Sequence, residues 1–281
     1  MNRQTLVGNW PRLGMGCARV GSFSNPATLR QSRTFLEEAA RAGMSLFDTA
    51  DIYGQGDSER VVGQAAARMQ PMPVVVTKGG QQFSGKARLL SAVKPLLRPI
   101  LSRRGSANAV TARRGDHMRS DWSAAYIART LPASLRRLNL PCVDAFLLHG
   151  PPASAIGDPA TVAVMSSFLE QGLARHVGIS CEDIASLDAV LRQPVYSVVE
   201  LDWSDIATIS RTPRAEAIVS RGVAVIARGI VSQRAGLDPI AAFERALAEP
   251  LVTTALVGTQ TPERLRAIAG HFASALEQDP A

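Results

Sequence analysis

Four side chains able to move protons stand at or just past the ends of short apolar runs. Asp48 closes a run in Phe47-Asp48-Thr49-Ala50-Asp51-Ile52-Tyr53-Gly54, and Tyr53 follows five residues later. Lys78 closes Val74-Val75-Val76-Thr77-Lys78, and His149 closes the run that begins at Val143. Together they supply a carboxylate, a phenol, an ammonium and an imidazole. A free phenol titrates at about pH 10 and is a poor acid–base group near neutrality. An ammonium beside it favours the phenolate and lowers that value, and a carboxylate can keep the ammonium charged and oriented. The set suits general acid–base chemistry, with Tyr53 moving the proton and His149 donating to an oxygen. Singly, each residue has a plainer explanation: a solvated lysine, a tyrosine anchoring a turn, a structural histidine.

For these residues to meet, the runs that end on them must lie side by side. Eight runs are near-continuous in apolar residues: Leu13–Cys17, Ser45–Asp48, Pro73–Lys78, Val143–His149, Arg175–Ser180, Val195–Leu201, Val223–Ala227 and Leu251–Val257. They read as parallel strands buried on both faces. Amphipathic stretches between them read as helices: Thr28–Ala42, stopped by Gly43, then Ser58–Met69, Trp122–Leu138, Ala160–Gly172, Asp183–Arg192, Pro213–Arg221, Pro239–Ala248 and Pro262–Ala275. Several open with Pro after Asp or Thr, a helix-start signal. Strand–helix units in this number predict one α/β domain over 1–281, a (β/α)8 TIM barrel with its chemistry at the C-terminal strand ends. A doubly wound open sheet is the runner-up. No run leads into G-x-G-x-x-G, and the nearest match, Gly14-x-Gly16-x4-Gly21, has the wrong spacing.

Composition narrows the function. With 46% hydrophobic and 20% charged residues in 281, the chain is ordinary globular material and not disordered. It holds no apolar stretch of about 20 residues and no N-terminal signal core, so it reads as a cytoplasmic protein with no membrane insertion. Cys17, Cys142 and Cys181 are odd in number and far apart, against a disulfide framework. The four histidines have no zinc-like spacing, so no metal is expected. The absence of G-x-S-x-G disfavours a serine hydrolase.

The net charge of +7 is concentrated in residues 79–121, which hold nine Lys/Arg against two acids on an otherwise neutral chain. One basic segment on a neutral body argues against nucleic acid as a partner. This segment is the long insertion after the third strand, whose start lies about 70 residues before the next. Within it, Ala87–Leu101 sets an apolar face against Lys94 and Arg98, interrupted by Pro95 and Pro99. It reads as a lid over the substrate mouth beside Lys78 and His149; a membrane-surface helix is the alternative. Its positive field would draw an anionic substrate.

The same residues carry a resemblance. D-T-A-x-x-Y-G-x-G-x-S-E-x-x-x-G (Asp48 to Gly63), T-K-G-G (Thr77–Gly80) and V-D-x-F-L-L-H-x-P (Val143–Pro151) resemble the signatures of the aldo-keto reductase superfamily. The likeness runs from about Gly14 to Phe272. It implies a monomeric barrel that reduces a small aldehyde or ketone to an alcohol with NADPH, using Asp48, Tyr53, Lys78 and His149 as the catalytic set. Run in reverse, the same fold and cofactor would make a sugar or alcohol dehydrogenase. A non-catalytic barrel kept as a binding subunit is the alternative from another class.

The resemblance also implies a cofactor arc that includes Asp48. Gly16-Cys17-Ala18 would pass under the nicotinamide, with Cys17 a small packing residue. The family's Ser-Asn pair for the carboxamide is Ser180-Cys181 here, its Gln is Glu200, and its stacking aromatic is Arg228. A guanidinium can stack in place of an aromatic ring. An ionised Glu200 can accept from the amide but cannot donate to its carbonyl, and a barrel-rim ion pair is the alternative for it. Gly258, Thr259, Gln260 and Arg264 would meet the adenosine end, with Arg264 on the 2′-phosphate at a helix N-terminus. NADPH is therefore expected ahead of NADH. The stretch between Arg228 and Asp238 is short where many relatives carry a longer clasp over the pyrophosphate.

Overall fold

The computed structural model describes residues 6–22, 25, 27–83, 118–231 and 238–277. Its barrel strands are β1 (Leu13–Gly16), β2 (Leu46–Asp48), β3 (Val74–Gly79), β6 (Val143–His149), β7 (Ala174–Ser180), β8 (Val198–Asp202), β9 (Ala224–Arg228) and β10 (Thr254–Val257). They close in the order β1-β10-β9-β8-β7-β6-β3-β2, and every neighbouring pair is parallel. The eight expected strands and the closed barrel are therefore present. The apolar runs overshoot at some N-terminal ends, where Val195–Ser197 and Leu251–Thr253 lie ahead of the strands. Leu251 and Val252 are as buried as strand residues, so hydrophobicity alone does not separate the two.

Helices alternate with the strands: α1 (Leu29–Arg41), α2 (Asp57–Ala66), α3 (Ala124–Leu138), α5 (Pro159–Glu170), α6 (Ile184–Leu191), α8 (Pro213–Ser220), α9 (Pro239–Ala248) and α10 (Pro262–Glu277). Short helices α4 (Ala153–Ile156) and α7 (Trp203–Ile209) and a 3-10 turn at Tyr53–Gly56 are additional to the expected elements. The start signals act as caps. Thr28 and Gln31 form a capping box on α1, and Asp158 and Asp238 accept from Thr161 and Ala241 ahead of helices that begin with Pro. Among the described residues no helix is long and apolar enough to cross a membrane, and no cluster of three metal-capable side chains occurs.

Strand periodicity sorts the core into two layers. Leu46, Val76, Leu147, Val198, Ile226 and Leu256 form a cluster inside the barrel, closed below by Val7 and Trp10. Alternate residues such as Met15, Phe47, Val75, Phe146, Ile179 and Val225 face outward to the helices. The interior is narrow at Gly14 and Gly178: a Cβ on Gly178 would stand 1.9 Å from the Val198 carbonyl oxygen.

After β3 the chain forms a two-stranded antiparallel ribbon, β4 (Gln81–Phe83) against β5 (Met118–Ser120). The basic insertion thus leaves and returns through one narrow neck. Residues 84–117, with most of its charge and the expected Ala87–Leu101 helix, lie outside the described residues. So do 232–237, most of the short stretch after Arg228. The neck packs closely on the barrel. A Cβ on Gly80 would stand 1.9 Å from the Trp122 ring, and one on Gly79 would stand 2.2 Å from Thr130.

Polar residues fasten α2 to α3 beneath the turn that carries Tyr53. Glu59 is fully buried and is ion-paired with Arg137, and Thr77 donates to it at 2.7 Å. Arg137→Ala would leave that carboxylate buried without its cation. Denaturant unfolding is expected to show a loss of about 3–5 kcal/mol; a loss under about 1 kcal/mol would put this pair with ordinary surface bridges.

Candidate active site

The barrel register explains why residues far apart in sequence converge. Gly16, Asp48, Lys78, His149, Ser180, Glu200 and Arg228 share the inward parity of their strands and form the layer above the apolar plug. His149 lies beside Ser180, and Ser180 beside Glu200, as register partners across β6, β7 and β8. Gly16 faces Asp48 across β1 and β2. Lys78 is fully buried and ion-pairs with Asp48 and, at 2.8 Å, with Glu200. Its Nζ lies 5.6 Å from the centroid of the Tyr53 ring. The Tyr53 ring meets His149 edge-on, with centroids 5.6 Å apart at 89°.

Tyr53 reaches this layer from the turn after β2. Gly54, Gln55 and Gly56 all hold positive φ angles of 56°, 62° and 88°. A Cβ on Gly54 would come within 2.9 Å of the Gly21 backbone, so glycine is required there for conformation and for space. Hydrogen bonds fix both ends of the turn: Thr49 and Ser58 hydroxyls lie 2.8 Å apart, and Ser58 donates to the Cys17 carbonyl. Gln81 donates to the His149 carbonyl at 2.9 Å and ties the ribbon neck to β6. Thr49, Ser58, Glu59 and Gly63 occur in the sequence motif, but their part is structural support. A buried hydroxyl or carboxylate in a motif was the available signal, and only the fold shows what each one holds.

Burial and charge set the protonation states. Burial pushes the Tyr53 phenol up; Lys78 and Arg228 pull it down, while Asp48 and Glu200 push it further up. The outcome is upward, contrary to the lowering expected from an adjacent lysine, because burial outweighs the pull of Lys78, and Asp48 and Glu200 add to it. Burial works against the Lys78 ammonium, yet Asp48 and Glu200 hold it above the usual lysine value. Burial and the Glu200 charge raise the Asp48 carboxyl above its ordinary range. Glu200 moves the other way: burial opposes its charge, but Lys78 and Arg228 outweigh burial. Burial, then Lys78, pushes His149 down to about 3, so its imidazole is neutral and can donate one N–H.

The expected cofactor arc is partly free and partly occupied by protein contacts. Ser180 is fully buried, and its hydroxyl has no hydrogen-bond partner. Gln260 Nε2 is likewise buried without one. The nearest atom to a Cβ on Gly16 would be 3.8 Å away, and Gly258 has nothing within 4 Å. A cavity of about 590 Å³ runs past Gly16, Thr259, Gln260 and Pro262. These features leave room and free hydrogen-bonding groups for the two ends of a nicotinamide dinucleotide. Gly258 and Arg264 are exposed at the start of α10. Cys17 and Cys181 are buried, and burial pushes both thiols up, which suits packing and not reactivity. Arg228 is anchored by protein groups: it donates to the Cys181 carbonyl at 2.9 Å and lies within 3.6 Å of Glu182, Glu200 and Asp202.

His149 gives a direct check on this electrostatic arrangement. Its folded value is depressed below the unfolded one of about 6.5. The unfolded chain therefore binds more protons between the two values, and stability falls as pH drops through that window. In 15N-resolved NMR of the folded protein, the His149 ring should stay neutral from about pH 8 to pH 5. A midpoint near 6.5 would mean that the pocket is wet and the Lys78 charge is not felt there.

The Aldo/keto reductase family model matches residues 12–238. The NADH-specific methylglyoxal reductase of Escherichia coli (strain K12) is 28% identical over 200 residues, covering 69% of this chain and 55% of that protein. The chain spans about half the length of the curated relatives it matches. In fold it is similar to the holo form of the aldo-keto reductase AKR11C1 from Bacillus halodurans, with a TM-score of 0.72 and 20% identity over 100% of this chain and 97% of that one. It is also similar to an aldo-keto reductase from Klebsiella pneumoniae in complex with NADPH, with a TM-score of 0.66 and 19% identity over 99% and 95%. With the family model spanning most of its length, the chain belongs to the aldo/keto reductase family.

Proposed function

We propose that this protein is an NAD(P)H-dependent reductase of small aldehydes or ketones, with Asp48, Tyr53, Lys78 and His149 as its catalytic set. The observation that carries the reading is the fully buried Lys78 ammonium, flanked by carboxylates and 5.6 Å from the Tyr53 ring. When bound, the dinucleotide supplies a hydride from its nicotinamide ring. Tyr53 supplies the proton that the carbonyl oxygen takes up, and Lys78 supports the charge left on the phenol oxygen. Neutral His149 donates its N–H to the same oxygen and orients it. Held in its protonated form, Tyr53 suits reduction better than the reverse dehydrogenation, which needs a base.

Ser180 and Gly16 would hold the nicotinamide end and Thr259, Gln260 and Arg264 the adenosine end. Arg264 is the basic residue in reach of a 2′-phosphate, which favours NADPH. The named cofactors of relatives point both ways: the Escherichia coli relative is NADH-specific and the Klebsiella structure holds NADPH. The reading that the substrate carries an acidic group rests on the basic segment 79–121.

One experiment covers the reading. Cofactor titrations by fluorescence and kcat/KM are measured for the wild type and Tyr53→Phe, on matched neutral and carboxylate-bearing aldehydes at low and high salt. Loss of the proton donor should lower turnover by about 10²–10⁴-fold while cofactor binding persists. The acidic aldehyde should lead at low salt and lose that lead at high salt. Near-normal turnover by Tyr53→Phe removes the catalytic assignment, and no acidic advantage removes the electrostatic one.

A further inference from the structure

The sixth strand of the barrel, β8, carries a carboxylate where the family resemblance expects the amide of Gln, and it is ion-paired within the protein. Glu200 is 2% exposed. One oxygen lies 2.8 Å from Lys78 Nζ and the other 3.6 Å from Arg228 Nε. We propose that Glu200 is a second counter-ion of Lys78, shared with Asp48, and that Arg228 is the cation that allows this extra carboxylate to be buried. The proposal rests on Tyr53 being the proton donor, since its consequence is read at that residue.

The charges around the group come from several strands and the rim. Asp48 comes from β2, Lys78 from β3 and Glu200 from β8, with neutral His149 on β6 and the protonated Cys17 thiol after β1. Arg228 on β9 is held in turn by Asp202 and Glu182 at the rim. A lone carboxylate beside Lys78 would leave the ammonium net positive toward Tyr53 once Arg228 is added. Glu200 places a second carboxylate on Lys78 and so lessens the advantage that the ammonium gives the phenolate. It is one of the charges that push Tyr53 up, after burial. Glu200 thus acts as a positioning residue: it touches Lys78 and Arg228, and it acts on the proton of Tyr53 through them.

The test uses the whole chain without cofactor. Tyrosinate difference absorbance is followed in alkaline titration for the wild type, Glu200→Gln and Glu200→Asp, with Tyr53→Phe versions subtracted to isolate Tyr53. Glu200→Gln should move the Tyr53 midpoint down by about one pH unit, and Glu200→Asp, which keeps the charge, should restore the wild-type value. A second measurement applies where the wild-type midpoint lies beyond the alkaline limit of the fold. Thermal unfolding is compared for the wild type, Asp48→Asn, Glu200→Gln and the double variant. Each single substitution leaves Lys78 one carboxylate and the double leaves none. The double should therefore lose more than the sum of the singles, up to failure to fold when both singles fold. An unmoved or raised Tyr53 midpoint, or additive thermal losses, overturns the proposal. If the wild type reduces no carbonyl compound while these shifts appear, the functional reading fails and the counter-ion stands. If the wild type is active and the shifts are absent, the reverse holds.

Discussion

A charged amine with no solvent exposure is the constraint around which this barrel is organised. Removing an ammonium from water costs several kcal/mol unless opposite charge is brought to it. Below Lys78 the barrel interior is packed with Leu46, Val76, Leu147, Val198, Ile226 and Leu256. Compensation must come from the layer that Lys78 itself occupies. Asp48 and Glu200 provide it, from strands on either side in the closed order. The buried carboxylates then need a second cation, and Arg228 at the rim meets that need while its other donors reach Cys181, Glu182 and Asp202. The buried charge on β3 is thus linked to residues on β2, β8 and β9.

Holding the phenol against this group is a separate problem, because Tyr53 sits on a turn and not on a strand. The turn is made rigid by left-handed backbone at three successive positions and by hydroxyl bonds joining Thr49, Ser58 and the Cys17 carbonyl. Beneath it, the Glu59–Arg137 pair and the close crossing of Gly63 against Leu138 lock α2 to α3. Catalytic geometry within a few tenths of an ångström requires such support. The family signature is therefore mostly a record of this scaffolding, with Asp48 and Tyr53 as its chemical content.

Much of this was legible in the sequence for a simple reason. A parallel barrel strand is buried on both faces, so it appears as an apolar run, and a polar residue at its end stands out. Asp48, Lys78 and His149 were visible in that way, and their shared inward parity follows once the strands are in register. Of the ion pairs, Asp48 with Lys78 was legible from the chemistry of the set, and Glu200 with Lys78 and Arg228 was not. Glu200 lies within Val198-Val199-Glu200-Leu201, and nothing local says that it faces Lys78 across the barrel and not a bound amide. The same holds for Tyr53, whose ionisation depends on the sum of burial and four charges from four strands. Short apolar segments before β8 and β10 read as strand because burial, and not strand pairing, selects their composition. The ribbon neck escaped notice because its short strands, Gln81–Phe83 and Met118–Ser120, are separated by the whole insertion.

The most direct test of the account is isotopic. Nicotinamide dinucleotide carrying deuterium at ring C4, in each of its two stereochemical forms, is incubated with the full-length protein and a reactive small aldehyde. The alcohol formed is then analysed by mass spectrometry. The account predicts that one of the two forms delivers its deuterium to the carbinol carbon, while the hydroxyl proton comes from solvent by way of Tyr53. Alcohol formed without deuterium from either form, or no alcohol from a folded protein that binds the dinucleotide, would contradict it.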